Sequence, residues 1–255
     1  MSFIVIIPAR FGSTRFPGKP LALIQGKPMI QHVYERSLLA GAQDVIVATD
    51  DKRIGEVVKS FSGKVCYTAS EHESGTERIA EVLNKKGIHN DTVVVNVQGD
   101  EPFIPPQNIT QVANNLLVAS TNNANIQMAT LCFPVSVKSE LDNPNVVKVT
   151  FAKNGKALCF SRAPIPYDRN WVQNTQVMQE NAYYRHVGIY AYKAAFIHQY
   201  IKLAPSHYEK IESLEQLRVL YHGFDIHVAI AHQTPPHGVD TPEDLDRLNG
   251  HGKAL

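Results

Sequence analysis

The stretch Val5–Pro20, VIIPARFGSTRFPGKP, decides how the chain is read. Phe3 to Ile7 is an unbroken run of β-branched and aromatic residues, the pattern of a strand buried on both faces. Pro8 ends it. The loop that follows holds Gly12 and Gly18, the hydroxyls of Ser13 and Thr14, and the cations Arg10, Arg15 and Lys19, with Lys27 further on. Glycines after a buried strand let backbone N–H groups approach an anion closely, and cations neutralise it. The loop reads as a polyphosphate site; the plainer reading is an ordinary basic turn. It is not a P-loop, because five residues separate Gly12 from Gly18 and Lys19 is followed by Pro20 instead of a magnesium-holding hydroxyl. No G-x-G-x-x-G opens a helix here either. A metal at such a site needs carboxylates from elsewhere.

Outward from this stretch, apolar spacing predicts helices at 28–40, 52–61, 76–86 and 106–119, and strands at 44–49, 64–68, 92–97 and 126–135. Strands alternating with helices imply parallel pairing through right-handed crossovers, with ligands beyond the carboxyl ends of the strands. Arg10, Asp50 and Asp100 all fall at such ends. After Val137 the pattern changes. Strands at 146–151 and 156–161 flank the turn signal Asn154-Gly155, residues 162–182 lack periodicity, and 185–192 is another strand. This region reads as a small antiparallel excursion. Helices follow at 196–203 and 213–221, a strand at 226–231, and a last helix capped by Thr241 with Pro242 at its first position.

With 255 residues the chain can bury a large core, as one α/β domain with an excursion or as two small lobes. A net charge of +1 provides no global field for nucleic acid or a membrane, so any anion site is local. Cys66, Cys132 and Cys159 are far apart, flanked by apolar residues and free of any C-x-x-C, as core thiols in a reducing compartment would be. The apolar N-terminus lacks a basic leader, Arg10 interrupts it, and no apolar run approaches a membrane span. The expectation is a soluble cytoplasmic protein.

Asp100 follows the strand TVVVNV through Gln98-Gly99. A carboxylate at the end of a buried strand needs a cation opposite it. It reads either as a magnesium ligand or as a turn aspartate. Asp240 is the second candidate, although an acid near a helix N-terminus also meets the dipole favourably without a metal. Asp50 and Glu101 are weaker candidates. Ser74-Gly75-Thr76-Glu77-Arg78 suits a helix start capped by Ser74 or Thr76. Arg162, Arg185 and His186 lie at strand ends, where an arginine can grip a carboxylate with two bonds or sit in a surface ion pair.

PARFGSTRFPGKP at 8–20 resembles the N-terminal signature of the CMP-Kdo synthetases, the 3-deoxy-manno-octulosonate cytidylyltransferases, which activate an eight-carbon acid sugar with CTP. SGTER, VNVQGDEP, FSRAPIPYDR, RHVGIYAY, ESLEQLR and GVDTPEDL are similar to that family in the same order, from Phe3 to about Leu248. Gly12 and Phe16 stand where the family pattern suggests Ala or Ser and Leu, and residues 168–182 match none of it. The resemblance implies a three-layer α/β/α sandwich like the nucleotide-diphospho-sugar transferases, with a mixed, mostly parallel sheet. It implies one domain over 1–255, with a CTP-binding half at about 1–137, an acceptor-sugar and dimerisation excursion at about 138–200, and a return to the sheet at 201–255.

By the same resemblance, Ala9, Arg10, Ser13, Thr14, Arg15 and Lys19 bind the nucleotide, with Arg10, Arg15 and Lys19 at its triphosphate. Thr76, Arg78 and Gln98 meet its base, where an amide and a guanidinium can supply donors to cytosine O2 and N3. Gln98, Arg162, His186, Tyr190, Glu215 and Gln216 meet the sugar. Asp100 and Asp240 hold Mg2+, and with Arg10 and Lys19 they carry the catalysis. Glu215 and Gln216 rest on the resemblance alone, because polar residues between Leu214 and Leu217 ordinarily face solvent. The implied reaction joins CTP and Kdo into CMP-Kdo and pyrophosphate for lipopolysaccharide biosynthesis, in a cytoplasmic homodimer, with no dedicated general base. The alternatives are an activator of another acid sugar such as sialic acid, a glycosyltransferase, whose Asp-x-Asp after a strand is not met by Asp50-Asp51 or by Asp100, and a non-catalytic nucleotide-sugar-binding regulator.

Overall fold

The structure, a computed structural model, describes residues 2–12, 16–169, 181–234, 238–239 and 241–249. The chain begins with β1 (Phe3–Pro8), a 3-10 turn at Lys19–Leu21, and the short ladder β2 (Leu23–Ile24) and β3 (Lys27–Pro28). Next come α1 (Met29–Leu39), β4 (Asp44–Thr49), α2 (Lys52–Ser60), β5 (Lys64–Tyr67), α3 (Gly75–Lys86), β6 (Val93–Asn96), α4 (Pro106–Asn122) and β7 (Ile126–Pro134). The second half contains α5 (Lys138–Asp142), β8 (Lys148–Phe151), β9 (Ala157–Ser161), β10 (Tyr184–Lys193), α6 (Ala194–Tyr200), α7 (His207–Glu212), α8 (Gln216–Tyr221), β11 (Asp225–Ile230) and α9 (Pro242–Leu248).

The large sheet runs β11-β7-β10-β6-β1-β4-β5, with β8 and β9 attached beside β10. β1 pairs in parallel with both β4 and β6. Its apolar run has no alternation because both faces are covered. Phe3, Val5 and Ile7 join one buried layer with Ile30, Val33, Ile54 and Leu116 of α1, α2 and α4. Ile4 and Ile6 join the opposite layer with Ile79, Leu83, Phe196 and Val219 of α3, α6 and α8. The result is the expected α/β/α sandwich with a mixed, mostly parallel sheet. None of the described helices is long and apolar enough to cross a membrane.

Three expectations are corrected. The strand at 185–192 does not belong to a separate excursion: β10 lies inside the large sheet, antiparallel to both β6 and β7, so the antiparallel appendage is only β8 and β9. Two short helices, α5 and α7, were not expected. Cys159 is exposed on β9, whereas Cys66 and Cys132 are buried.

β10 also carries an irregularity. Val187 pairs with Leu131 and Tyr190 with Thr130, so two extra residues, Gly188 and Ile189, bulge out against a single step of β7. Residues four apart in a regular strand lie about 13 Å apart along it. Here the His186 and Tyr190 rings touch, their centroids 5.3 Å apart.

Candidate active site

The cleft opens where the strand order predicts, beyond the carboxyl ends of β1 and β6. It consists of two joined hollows of about 210 and 230 Å³ that share Gly75, Gln98 and Glu215 as a common wall. The first is lined by Pro8, Ala9 and Arg10 at the end of β1, by the start of α3, and by Arg78. Ser74 caps α3 in a full capping box with Glu77, as the sequence allowed, and aims the helix's first turn at the cleft. A Cβ on Gly75 would come 3.3 Å from the Pro8 ring, so glycine keeps that turn close to β1. Arg78 is 3% exposed and donates to the Thr68 hydroxyl and, at 3.2 Å, to the Ala69 carbonyl. Its Nη1 lies 3.5 Å from Asp50 Oδ1, which accepts no hydrogen bond. Gln98 donates one amide proton to Asn96 Oδ1 at 3.3 Å.

The first loop is pinned at both ends of its described part. Gly18 N donates to the Phe11 carbonyl at 2.9 Å, and Gly18 has φ +73 with the Phe11 ring where a Cβ would sit. The Arg53 guanidinium stacks 3.4 Å from the centre of that ring. Arg53 is held in turn by two bonds to Asp51, whose carboxyl this pairing lowers. Lys19, next to Gly18, reaches Asp100 Oδ2 at 2.6 Å. Gly99 makes that approach possible, because a Cβ there would lie 3.1 Å from the Pro8 carbonyl oxygen. On the other side, Val239 N donates to the Asp100 carbonyl at 3.0 Å. Val239 is fully buried in a small core with Ile24 and Met29. Lys27 pairs with Glu35 at 2.7 Å and takes no part in the cleft. Ser13, Thr14, Arg15 and Asp240 lie outside the described residues.

The second hollow is walled by Thr76, Asn96, Tyr190, Tyr192, Tyr200, Ser213, Glu215 and Gln216. Ser213 takes φ +52 and turns the chain between α7 and α8, so Glu215 and Gln216 both line the cleft. Gln216 is 4% exposed, and its Nε2 has no protein partner. Glu215 faces the lumen and stays open to solvent at its mouth; desolvation by the surrounding walls raises its carboxyl, while the Thr76 hydroxyl, donating at 3.2 Å, pulls it down less strongly. Burial pushes the Tyr190 and Tyr192 phenols up, so both remain donors.

His186 stands behind Tyr190 instead of lining the hollow, with Nε2 2.9 Å from the Thr130 hydroxyl. Burial pushes its imidazole down to about 3, so it is neutral near pH 7. Arg162 also stands outside. Its Nε donates to the Glu212 carbonyl at 2.6 Å and its Nη1 to the Pro144 carbonyl at 2.9 Å, which bind it behind the Ser213 wall. Arg185 pairs with Glu140 at 3.1 Å. Thr76, expected near the base, lines the second hollow.

Sequence reasoning missed Asn96, Tyr192 and Tyr200. Two of them carried a signal. Asn96 is a polar residue inside TVVVNV, where burial demands a partner. Tyr192 follows Tyr190 at the two-residue spacing that puts both on one face of a strand. Tyr200 ends an apolar helix and gave none.

A family model described as Cytidylyltransferase matches residues 4–226. A 3-deoxy-manno-octulosonate cytidylyltransferase of Alteromonas mediterranea is 56% identical over 97% of this chain and 98% of its own. The chain belongs to the CMP-Kdo synthetase family. The family member so named from Vibrio vulnificus is 57% identical over 96% of both chains, and that of Haemophilus influenzae 53% over 97% of both. Among solved structures, a CMP:2-keto-3-deoxy-manno-octonic acid synthetase complexed with CTP superposes with a TM-score of 0.85 at 43% identity, covering 98% of each chain. A cytidylyltransferase of Leptospira borgpetersenii, at 17% identity and a TM-score of 0.62, shares the fold.

Proposed function

We propose that the chain transfers the cytidylyl group of CTP to the anomeric hydroxyl of Kdo, giving CMP-Kdo and pyrophosphate. The observation that carries this reading is the pair of joined hollows, one against the first loop and Arg78, the other lined by tyrosines, Glu215 and Gln216. Family membership and the CTP complex of the similar synthetase support it.

Arg10 and Lys19 face the triphosphate, and the cation charge they bring offsets the charge of the leaving pyrophosphate. Arg78 and Gln98 meet the base. Gln216 Nε2, buried without a partner, finds one in a sugar oxygen. Catalysis comes from holding the sugar hydroxyl in line with the α-phosphorus where the two hollows join.

We place magnesium on Asp100 with Asp240. Hard carboxylate oxygens suit that ion, and Lys19 at 2.6 Å shows that Asp100 already meets a cation there. When bound, the ion stabilises phosphate charge and lowers the pKa of the attacking hydroxyl. We also read the chain as a cytoplasmic homodimer. Leu158 on β9 and Ile211 on α7 are 61% and 81% exposed, on elements tied together by the Ser161–Glu212 hydrogen bond. A second copy would cover them.

Pyrophosphate release with CTP and magnesium tests the function, with Kdo, sialic acid and a neutral sugar phosphate offered separately. Release with Kdo, abolished by EDTA, is expected. Release only with another sugar would overturn the substrate, and CTP binding without turnover would favour a regulator.

A further inference from the structure

Thr130 touches neither hollow, yet it sits under the acceptor side. It is fully buried on β7, opposite Tyr190 in the sheet register. Its hydroxyl oxygen lies 2.7 Å from the Ile189 carbonyl, 3.2 Å from the Val187 carbonyl and 2.9 Å from His186 Nε2. Both carbonyls belong to the β10 bulge, where the regular ladder is interrupted. A buried carbonyl cut off from its ladder needs another donor.

A hydroxyl has one proton and two lone pairs. With two carbonyl oxygens against it, the proton must go to them, principally to Ile189. Were His186 Nε2 bare and the acceptor of that proton, the hydroxyl oxygen would face two carbonyl oxygens with nothing between. The arrangement therefore requires Nε2–H donating to Thr130, which leaves Nδ1 as the acceptor of the ring. His186 packs edge-on against Phe160, with centroids 5.1 Å apart, and against Tyr190, which lines the sugar hollow.

We propose that Thr130 is a positioning residue for the acceptor sugar: its hydroxyl holds the bulge that turns Tyr190 into the cleft and fixes the tautomer of His186 behind it. This rests on the reading of the second hollow as the Kdo site. The groups facing His186 from the packed elements, Thr130, Phe160 and Tyr190, carry no charge near neutral pH, so nothing there competes for its proton.

Thr130→Val keeps the shape and removes the hydroxyl. The expected result is a rise of about ten-fold in KM for Kdo, with KM for CTP unchanged, and recovery in Thr130→Ser. In the wild-type protein at neutral pH, long-range proton–nitrogen NMR of the histidines is expected to show the Nε2–H form for His186. An Nδ1–H form there would overturn the proposal even if Thr130→Val fails to fold. So would an unchanged KM for Kdo, or equal rises for both substrates. Because wild-type turnover of Kdo is measured in the same series, failure of the substrate reading is seen separately from failure of the Thr130 role.

Discussion

Lys19 Nζ lies 2.6 Å from Asp100 Oδ2, across a gap of 81 residues in sequence, with the lysine side chain 12% exposed and the carboxylate 34%. This ion pair joins the loop proposed to meet the phosphates to the carboxylate proposed to meet the metal.

Asp100→Ala is therefore expected to lower kcat/KM by at least about a hundred-fold, because it removes a carboxylate proposed to hold the ion that offsets phosphate charge. The pair is only partly buried, so Tm should move by no more than about 3 °C. Pyrophosphate release and a thermal melt, run in parallel, check both. A large fall in Tm would mark Asp100 as structural.

Gly99→Ala places a methyl group 3.1 Å from the Pro8 carbonyl oxygen, which belongs to a strand that cannot yield far. The displaced loop carries Asp100 with it. Turnover should fall by about ten-fold while CTP affinity changes little, since misplacement affects the reacting geometry first. Isothermal titration with CTP separates the two.

Glu215 gives a pH-dependent test. Its carboxyl is raised above the ordinary 4.5, so its contribution to stability is fully present below that value and is lost as pH rises through the folded one. Near pH 7 the ionised group costs stability. Glu215→Gln should raise Tm by about 2 °C at neutral pH, lose that gain under acid, and lower activity. His186 has the opposite sign. Held near 3 against an ordinary 6.5, it stabilises the protein above 6.5, and that contribution is lost as pH falls toward 3. Replacing it with Gln should flatten the acid limb of a Tm–pH curve.

Arg162→Ala removes donors from the Glu212 and Pro144 carbonyls. A loss of about 1–2 kcal/mol, roughly 3–6 °C in Tm, is expected. An arginine that only gripped the sugar would raise the KM for Kdo and leave Tm alone.

Most of the sandwich was legible because its strands and longer helices carry unambiguous periodicity, as in Phe3–Ile7 and TVVVNV. α5 and α7 were not, being too short for an apolar face to repeat. The place of β10 was hidden for a different reason. RHVGIYAY announces a strand, but nothing local says that it inserts between β6 and β7. Likewise, motifs brought Glu215 and Gln216 to attention, but only the turn at Ser213 shows how they reach the cleft. Arg162 shows the converse: a motif residue whose side chain is bound to carbonyls behind the wall.

The hydrogen bond from Val239 to the Asp100 carbonyl separates what builds the sheet from what completes the cleft. Every strand of the large sheet is complete by Ile230. A chain cut after that point keeps every strand but loses the segment that docks beside Asp100. Such a shortened chain should fold yet stay idle.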